Sequence, residues 1–363
     1  MGPRLARDLH PAAWWLWALG MAAAATRTTN PLLLVLIIAV VGVVVSARRS
    51  DAPWAKGFGA YVVFGLVVIA LRVVFRMLLD GGEGSHVLFR LPEIPLPEAA
   101  AGISLGGAVS LEGVLAALYD GLRLATLVIC VGSANVLANP KRLLKSMPSA
   151  LYEVGSAVTV ALSLAPQMVE SARRVMRARR LRGEPGGRLA WFHQVAIPVM
   201  TDALDRSLML AAAMDSRGYG RTAGATRASR TLTATLMLCG LGGICVGTYG
   251  TLDTTTPRVI GLPMLLAGVA TAVGGLVAGG LRVPRSRYRP DRWLREEIAV
   301  SACGIAVAVA LGVISSVDPD ALNPSLQPLH WPALPLAATA AVLLGVAPAA
   351  LAPQPRLAGG ASR

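Results

Sequence analysis

The sequence of 363 residues has few charged side chains and no motif for binding ATP. Asp, Glu, Lys and Arg make up 15% of it, whereas soluble domains carry about 25%. Its three lysines are Lys56, Lys141 and Lys145, and none of them follows a glycine. The phosphate-binding loop G-x-x-x-x-G-K-S/T is therefore absent, so any ATP must be handled by another chain.

Cysteine and histidine are also scarce. Cys130, Cys239, Cys245 and Cys303 lie in apolar runs without C-x-x-C spacing, which predicts small buried hydrophobic residues rather than a disulfide or a metal site. The four histidines include no pair with zinc-ligand spacing. The sequence therefore predicts no catalytic residue, no metal and no cofactor, and it favours a protein that is not an enzyme.

Long apolar runs are abundant, since 54% of the residues are hydrophobic. A membrane-spanning helix needs roughly 17 to 25 apolar residues. Eight runs are candidates, at 11–25, 31–47, 58–79, 108–138, 231–252, 259–281, 298–316 and 331–351. The first two are short and are predicted to form a tight hairpin, retained in the membrane by an interfacial belt of tryptophans. The predicted fold class is all-α, a multi-pass protein of the cell membrane with about eight transmembrane helices.

The net charge of +14 has a topological explanation, because membrane proteins hold Lys and Arg on the cytoplasmic side. Residues 139–229 contain 14 Lys and Arg against six Asp and Glu, so we expect them to form one cytoplasmic-side unit. A ninth apolar run, 150–165, would separate two basic groups if it crossed, so it is predicted to turn back or to lie along the interface. Both termini are then cytoplasmic. The partner implied by the charge is the lipid bilayer, and no nucleic acid is expected.

Two segments inside this unit share one design. The first, 166–182, and the second, 198–217, each begin with a proline and end in Arg-Gly, which is typical of helix boundaries. Both are predicted to be amphipathic. Apolar residues share one side of each helix: Met168, Val169, Ala172, Val175 and Met176 in the first, and Val199, Met200, Ala203, Leu210, Ala211 and Met214 in the second. Arg173, Arg174, Arg177 and Arg180 lie opposite in the first helix, and Asp202, Asp205 and Ser216 face away in the second.

These helix ends resemble a known family. Leu181-Arg182-Gly183 and Ser216-Arg217-Gly218 are similar to the small-Arg-small triplets of the transmembrane T component of energy-coupling factor (ECF) transporters, although leucine replaces the small first residue of the first triplet. The resemblance implies a transmembrane coupling subunit for vitamin or metal-ion uptake. Its implied partners are two cytoplasmic ATP-binding subunits, docked at the two triplets on a pair of coupling helices, and a substrate-binding membrane S subunit.

The resemblance also suggests an organisation along the chain. We expect N-terminal transmembrane helices in 1–138, the coupling-helix region in 139–229 and C-terminal transmembrane helices in 230–363. The charged segment 288–293 resembles the family's lead-in to its last membrane helix, which would make 231–281 an inserted helix pair. Glycine clusters in this pair predict close helix packing. They are Gly240, Gly242, Gly243, Gly274, Gly275, Gly279 and Gly280.

Other interpretations compete with this one. A stand-alone secondary transporter is the main alternative, but the spans are almost free of charge; Asp120 and Arg123, three residues apart, are predicted to neutralise each other. Asp202 and Asp205 resemble one aspartate pair of membrane prenyltransferases, but a second such motif is missing. The arginine face of the first coupling helix fits a surface of anionic lipid whatever the protein does.

Overall fold

A computed structural model describes residues 7–51, 53–79, 86–94, 105–146, 152–183, 188–218, 227–252, 261–281 and 293–354. The chain forms two compact units, one from residues 1–143 with 291–363 and the other from residues 144–290. The helices of the first unit are α1 (Pro11–Thr26), α2 (Pro31–Arg48), α3 (Phe58–Leu79), α4 (Leu111–Leu137), the short α5 (Pro140–Lys145) at its boundary, α10 (Arg295–Val317), α11 (Pro319–Leu322), α12 (Leu336–Leu344) and α13 (Pro348–Leu351). The second unit contains α6 (Tyr152–Leu181), α7 (Arg188–Ser216), α8 (Arg227–Leu252) and α9 (Leu262–Leu281). The division into three consecutive segments, 1–138, 139–229 and 230–363, stays a prediction.

The all-α, multi-pass class is confirmed. In the described part of the chain, six helices are long and apolar enough to cross a membrane. They are Pro31–Arg48, Ala55–Leu79, Leu111–Leu137, Thr231–Leu252, Leu262–Gly280 and Arg295–Val317. The remaining two predicted runs form shorter apolar helices, α1 with 16 residues and the α12–α13 segment Leu336–Leu351.

The first unit is built around α1, whose small residues let other helices come close. Gly20 of α1 lies against Gly304 of α10, and a Cβ added at Gly304 would lie 2.5 Å from the Cα of Trp17. Trp17 is fully buried, and its Nε1 donates to the carbonyl of Gly345 at 3.2 Å. The predicted α1–α2 hairpin is therefore wrong as a packing unit, because α1 packs chiefly against α10 and α4.

Polar residues fix the start of α10. Glu297 is 1% exposed, and its carboxylate pairs with Arg7 and accepts from the backbone N–H of Leu294 at 3.0 Å and of His10 at 3.3 Å. His10 in turn caps α1, since its Nδ1 accepts from the N–H of Ala12 at 3.2 Å. One buried carboxylate therefore ties the beginning of α1 to the beginning of α10.

The predicted pairing of Asp120 with Arg123 is wrong. Asp120 on α4 instead pairs with Arg72 on α3, at 3.2 Å between Nη2 and Oδ2. Arg123 donates to the backbone carbonyl of Thr26 at the end of α1. Both side chains bind partners on other helices, and these partners cannot be predicted from the spacing of Asp120 and Arg123 within α4.

A two-stranded antiparallel sheet lies between α3 and α4 in the sequence. Strands β1 (Val87–Ile94) and β2 (Leu105–Ser110) pair Phe89 with Val109 and Leu91 with Gly107. Pro92 lies in an irregular part of β1, where its missing N–H costs no ladder bond. The prolines at positions 95 and 97 lie outside the described residues.

In the second unit, α8 and α9 pack as a close pair, as the glycine clusters predict. A Cβ at Gly240 would lie 2.6 Å from the backbone N of Ala272, and one at Gly243 would lie 2.8 Å from the Cα of Gly268. Gly242 and Gly274, by contrast, have open space beside them, so their side of each helix faces away from the partner. The glycines at the interface let the two backbones approach more closely than side chains would allow.

Candidate functional site

The two helices that carry the Arg-Gly ends are longer than predicted. α6 extends without interruption from Tyr152 to Leu181 and α7 from Arg188 to Ser216, so Pro166 and Pro198 lie inside helices rather than at their starts. The predicted turn back within 150–165 is therefore wrong over its described part, 152–165, which is the first half of α6. An interior proline removes one backbone hydrogen bond and disturbs the helix locally, but the surrounding turns sustain it here.

The predicted C-terminal ends of both helices are confirmed. Gly183 has φ +67° and Gly218 has φ +73°, the left-handed conformation that glycine adopts at low cost. The N–H of Gly183 donates to the carbonyl of Arg180 at 3.3 Å, and that of Gly218 to Asp215 at 2.9 Å. A Cβ at either glycine would meet no atom within 4 Å, so glycine is required by the backbone and not by crowding.

The side chains of both triplets point into solvent. Leu181 is 90% exposed, and Arg182, Ser216 and Arg217 are exposed as well. Ser216 Oγ donates to the carbonyl of Ala213 at 3.0 Å, a hydrogen bond within the last turn of α7. A leucine as exposed as Leu181 leaves almost its whole apolar surface in contact with water or with a partner.

α6 and α7 run antiparallel, which places the two triplets far apart. The hydrogen bonds between them include those of Arg179 with Gln194, Ser171 with Asp202, and Gln167 with Arg206. This register sets Arg182 opposite position 191, and Arg217 lies 217 − 191 = 26 residues further along α7. At 1.5 Å per residue the two triplets are separated by ~39 Å along the helix pair.

Asp202 holds the two helices together where they touch. Its Oδ2 accepts from Ser171 Oγ at 2.6 Å and lies 3.4 Å from Arg174 Nη2, while its Oδ1 accepts from Arg206 Nε at 3.0 Å. The hydrogen bond from Ser171, followed by that from Arg206, holds the pKa of Asp202 below its ordinary value.

This contact corrects two sequence-based expectations. Asp202 was expected to face away with Asp205, but it faces α6. Both of its carboxylate oxygens are occupied by Ser171, Arg174 and Arg206, which leaves it poorly placed to bind magnesium as an aspartate of a prenyltransferase would. The sequence offered one signal for the role of Asp202, its i,i+4 spacing from Arg206.

The apolar residues of α7 divide between two sides. Val195 and Val199 are buried against α6, whereas the predicted companion of Val199, Met200, is 64% exposed. On the side away from α6 lies a row of exposed apolar side chains, which we call the outer stripe of α7. It consists of Ile197, Met200, Leu204 and Leu208.

No metal centre is evident in the described ranges, since they contain no group of three or more His, Cys, Asp and Glu that could hold an ion. The four cysteines are free thiols. Cys130 is buried, as predicted, and Cys303 is half-buried, but Cys239 and Cys245 are exposed on α8. Exposure on an apolar helix is compatible with contact to lipid, so the expectation of burial in protein was wrong for these two.

Comparisons with known proteins identify relatives of this chain. A family model described as "CbiQ: Cobalt transport protein" matches residues 2–227, and that match ends where α8 begins. The energy-coupling factor transporter transmembrane protein EcfT of Thermanaerovibrio acidaminovorans is 31% identical over 219 residues, which cover 53% of this chain and 77% of that protein. The proteins of the same name from Bacillus selenitireducens and Lactococcus lactis subsp. cremoris are 26% and 24% identical, over 55% and 52% of this chain and 74% and 71% of their own lengths.

Proposed function

The chain belongs to the cobalt transport protein family CbiQ, together with the EcfT transmembrane proteins of energy-coupling factor transporters, and we propose that its Arg182 and Arg217 ends dock two separate cytoplasmic ATPase subunits. It is a multi-pass membrane protein and the energy-coupling transmembrane component of such a transporter, working with other subunits. The observation that carries the docking proposal is the pair of exposed arginine triplets, each ending in glycine. Each triplet lies at the C-terminal end of its helix, and because α6 and α7 are antiparallel, the two triplets lie at opposite ends of the helix pair.

The chemistry of each end suits a protein partner. An arginine offers a planar fork of donors that fits a carboxylate or the free carbonyls at the end of a helix. Each arginine sits one residue beyond its helix, on a turn that the glycine fixes, so its direction is set by the backbone. The separation of ~39 Å means that one small domain cannot cover both ends, which favours two ATPase subunits.

We assign the outer stripe of α7 to the substrate-binding S subunit. Ile197, Met200, Leu204 and Leu208 are each at least half exposed, on the side of α7 that α6 leaves open. An apolar row of this kind needs a cover of lipid or of protein. A partner bound to this stripe would move with α7 when the Arg217 end is displaced. The contacts of Asp202 with Ser171 and Arg174 would transmit the same movement to α6.

The proposed orientation places α6, α7 and both termini on the cytoplasmic side. It is supported by the excess of Lys and Arg in 139–229. The chain has no phosphate-binding loop of its own, so the ATPases on that side supply the nucleotide chemistry. Transport then depends on how ATP-driven closure of those subunits moves the two arginine ends.

Charge reversal at the ends tests the docking proposal. Arg182→Glu and Arg217→Glu should each weaken retention of the ATPases during purification of the complex, and the double variant should release them, because a carboxylate is placed where a guanidinium docked. Arg90→Glu, an equal charge change on exposed β1, is the matched control and should retain them. The proposal is wrong if the double variant keeps both ATPases with full stimulated hydrolysis.

A further inference from the structure

The exposed face of α6 changes character along the helix. Its first half presents the apolar side chains Val154, Val158 and Leu162, and Val169 continues the same side just past the middle of the helix. These four side chains are between 38% and 54% exposed. The second half of α6 presents arginines on the same side, at positions 173, 177 and 180. At 100° per residue all seven side chains lie within about 140° of one another around the helix axis. We call Arg173, Arg177 and Arg180 the arginine row.

Within the described part of the chain, no ion pair accounts for the arginine row. Arg174 and Arg179, the other two arginines of this part of α6, face α7 and bond to Asp202 and Gln194. Among the described residues, no carboxylate lies within 4.0 Å of Arg173, Arg177 or Arg180. Three exposed cations on one face, next to an apolar surface, are the pattern of a helix that lies at a membrane interface.

We propose that the arginine row binds the headgroups of anionic phospholipids in the cytoplasmic leaflet while the apolar half of the same face lies in the acyl boundary. The row spans positions 173–180, a rise of ~10 Å along the helix axis. Arginine side chains extend along apolar surface and keep their charge at headgroup level. The choice of leaflet rests on the cytoplasmic orientation proposed above, whereas the lipid contact itself does not depend on ATPase docking.

This contact would fix the depth of the first docking end. Arg180 lies in the last turn of α6, two residues before Arg182. Lipid bound to the arginine row would therefore hold the Leu181-Arg182-Gly183 triplet on the cytoplasmic side of the headgroups. The second end has no such row, because α7 presents the outer stripe instead of arginines. The two coupling ends would therefore differ in their attachment to the membrane, since only the end of α6 is held by lipid.

The test measures phosphatidylglycerol binding to the full-length protein in detergent by native mass spectrometry, with phosphatidylcholine as the neutral reference. Each basic residue near an anionic surface contributes about a fivefold gain in affinity, so Arg173→Gln, Arg177→Gln and Arg180→Gln together should weaken phosphatidylglycerol binding roughly 100-fold at low salt. Phosphatidylcholine binding should not change. High salt should weaken binding to the unaltered protein but have little effect on the glutamine variant, since it screens exposed charges.

The matched control replaces the same three residues with lysine. It keeps the charge and should retain most of the affinity for phosphatidylglycerol, which also shows that the face tolerates substitution. The proposal is overturned if the glutamine variant binds phosphatidylglycerol as the unaltered protein does, or if inorganic phosphate displaces the lipid. It is also overturned if the glutamine variant loses the ATPases but not the lipid, because the row would then be part of the docking surface.

Discussion

At the residue scale, the two glycines that end α6 and α7 carry a sharp prediction. A side chain at φ near +70° costs about 1–2 kcal/mol, so Gly183→Ala and Gly218→Ala should distort the turn that directs each arginine. ATPase retention should fall by about 5–30-fold, as that energy implies. Asparagine tolerates the left-handed conformation, so Gly183→Asn and Gly218→Asn should retain more than alanine.

A helix-interior glycine supplies the control for that experiment. Gly242 has open space beside it, and alanine there should leave retention unchanged, since alanine favours a helix more than glycine does. Equal retention by the alanine and asparagine variants at 183 and 218 would contradict the prediction. The measurement is the amount of ATPase that copurifies per molecule of membrane protein.

Sequence reasoning succeeds at these residues because the signal is local. An Arg-Gly pair at the end of an amphipathic run specifies its own turn, and Gly183 and Gly218 adopt it without help from distant residues. Asp202 shows the opposite case, since its partner Ser171 lies on another helix. Its spacing from Arg206 was visible in the sequence, but the side of α7 on which α6 packs was not.

At the scale of the element, the contact between α6 and α7 depends on the charge of Asp202. The pKa of this carboxyl is lowered, first by the Ser171 hydrogen bond and then by that of Arg206, so the charged form is favoured in the folded state. A lowered pKa contributes stability above the unfolded value, about 3.9 for aspartate, and that stability is lost as the pH falls through the still lower folded value. The helix contact should therefore be insensitive to pH near neutrality and loosen only in acid.

Spin labels at positions 169 and 204 would report this contact as a distance between α6 and α7. Asp202→Asn should broaden the distance distribution at neutral pH, because the amide loses the ion pairs to Arg174 and Arg206. Asp205→Asn is the matched control, since Asp205 is exposed and shows no ion pair among the described residues. A distribution that stays narrow in Asp202→Asn would show that apolar packing at Val195 and Val199 suffices.

The longer helices illustrate a limit of local rules at this scale. Pro166 and Pro198 followed the rule for helix starts, yet each lies within a helix of about 30 residues. Proline lowers the stability of a helix interior by about 3 kcal/mol, a cost that flanking turns with tertiary support can offset. The sequence does not reveal that support, so boundaries set by proline alone were placed too late.

At the scale of the whole molecule, hydropathy predicted the membrane-spanning elements but not their neighbours. Six of the eight predicted runs form helices long enough to span, because a span is largely a local property of composition. The packing of α1 on α10 depends on Gly20 meeting Gly304, residues from opposite ends of the chain. Close approach of that kind depends on the shapes of the two helices, and the apolar pattern of neither α1 nor α10 predicts it.

The pair α8–α9 lies beyond the family match, which ends at residue 227, and the first unit resumes after it at residue 291. We expect it to be an insertion of two spans, which cross and return, so the chain after it keeps its orientation. Deleting 227–281 should therefore leave α10 in its original direction, whereas deleting α9 alone should invert it. The loop after α11 is expected to be external, because residues 317–330 contain Asp318 and Asp320 but no Lys or Arg. A cysteine at position 325 in this loop would report the outcome by labelling with an impermeant thiol reagent.

The experiment needs a background without native thiols, because Cys239 and Cys245 are exposed. A cysteine at position 182 serves as the internal control and should stay on the cytoplasmic side in all forms, since it precedes both deletions. Labelling of position 325 from outside after both spans are removed would support an inserted pair. Labelling from inside would mean that α8 and α9 do not both cross. If deletion of α9 alone also leaves position 325 outside, the charge balance of the loops, rather than the number of helices, sets the direction of α10.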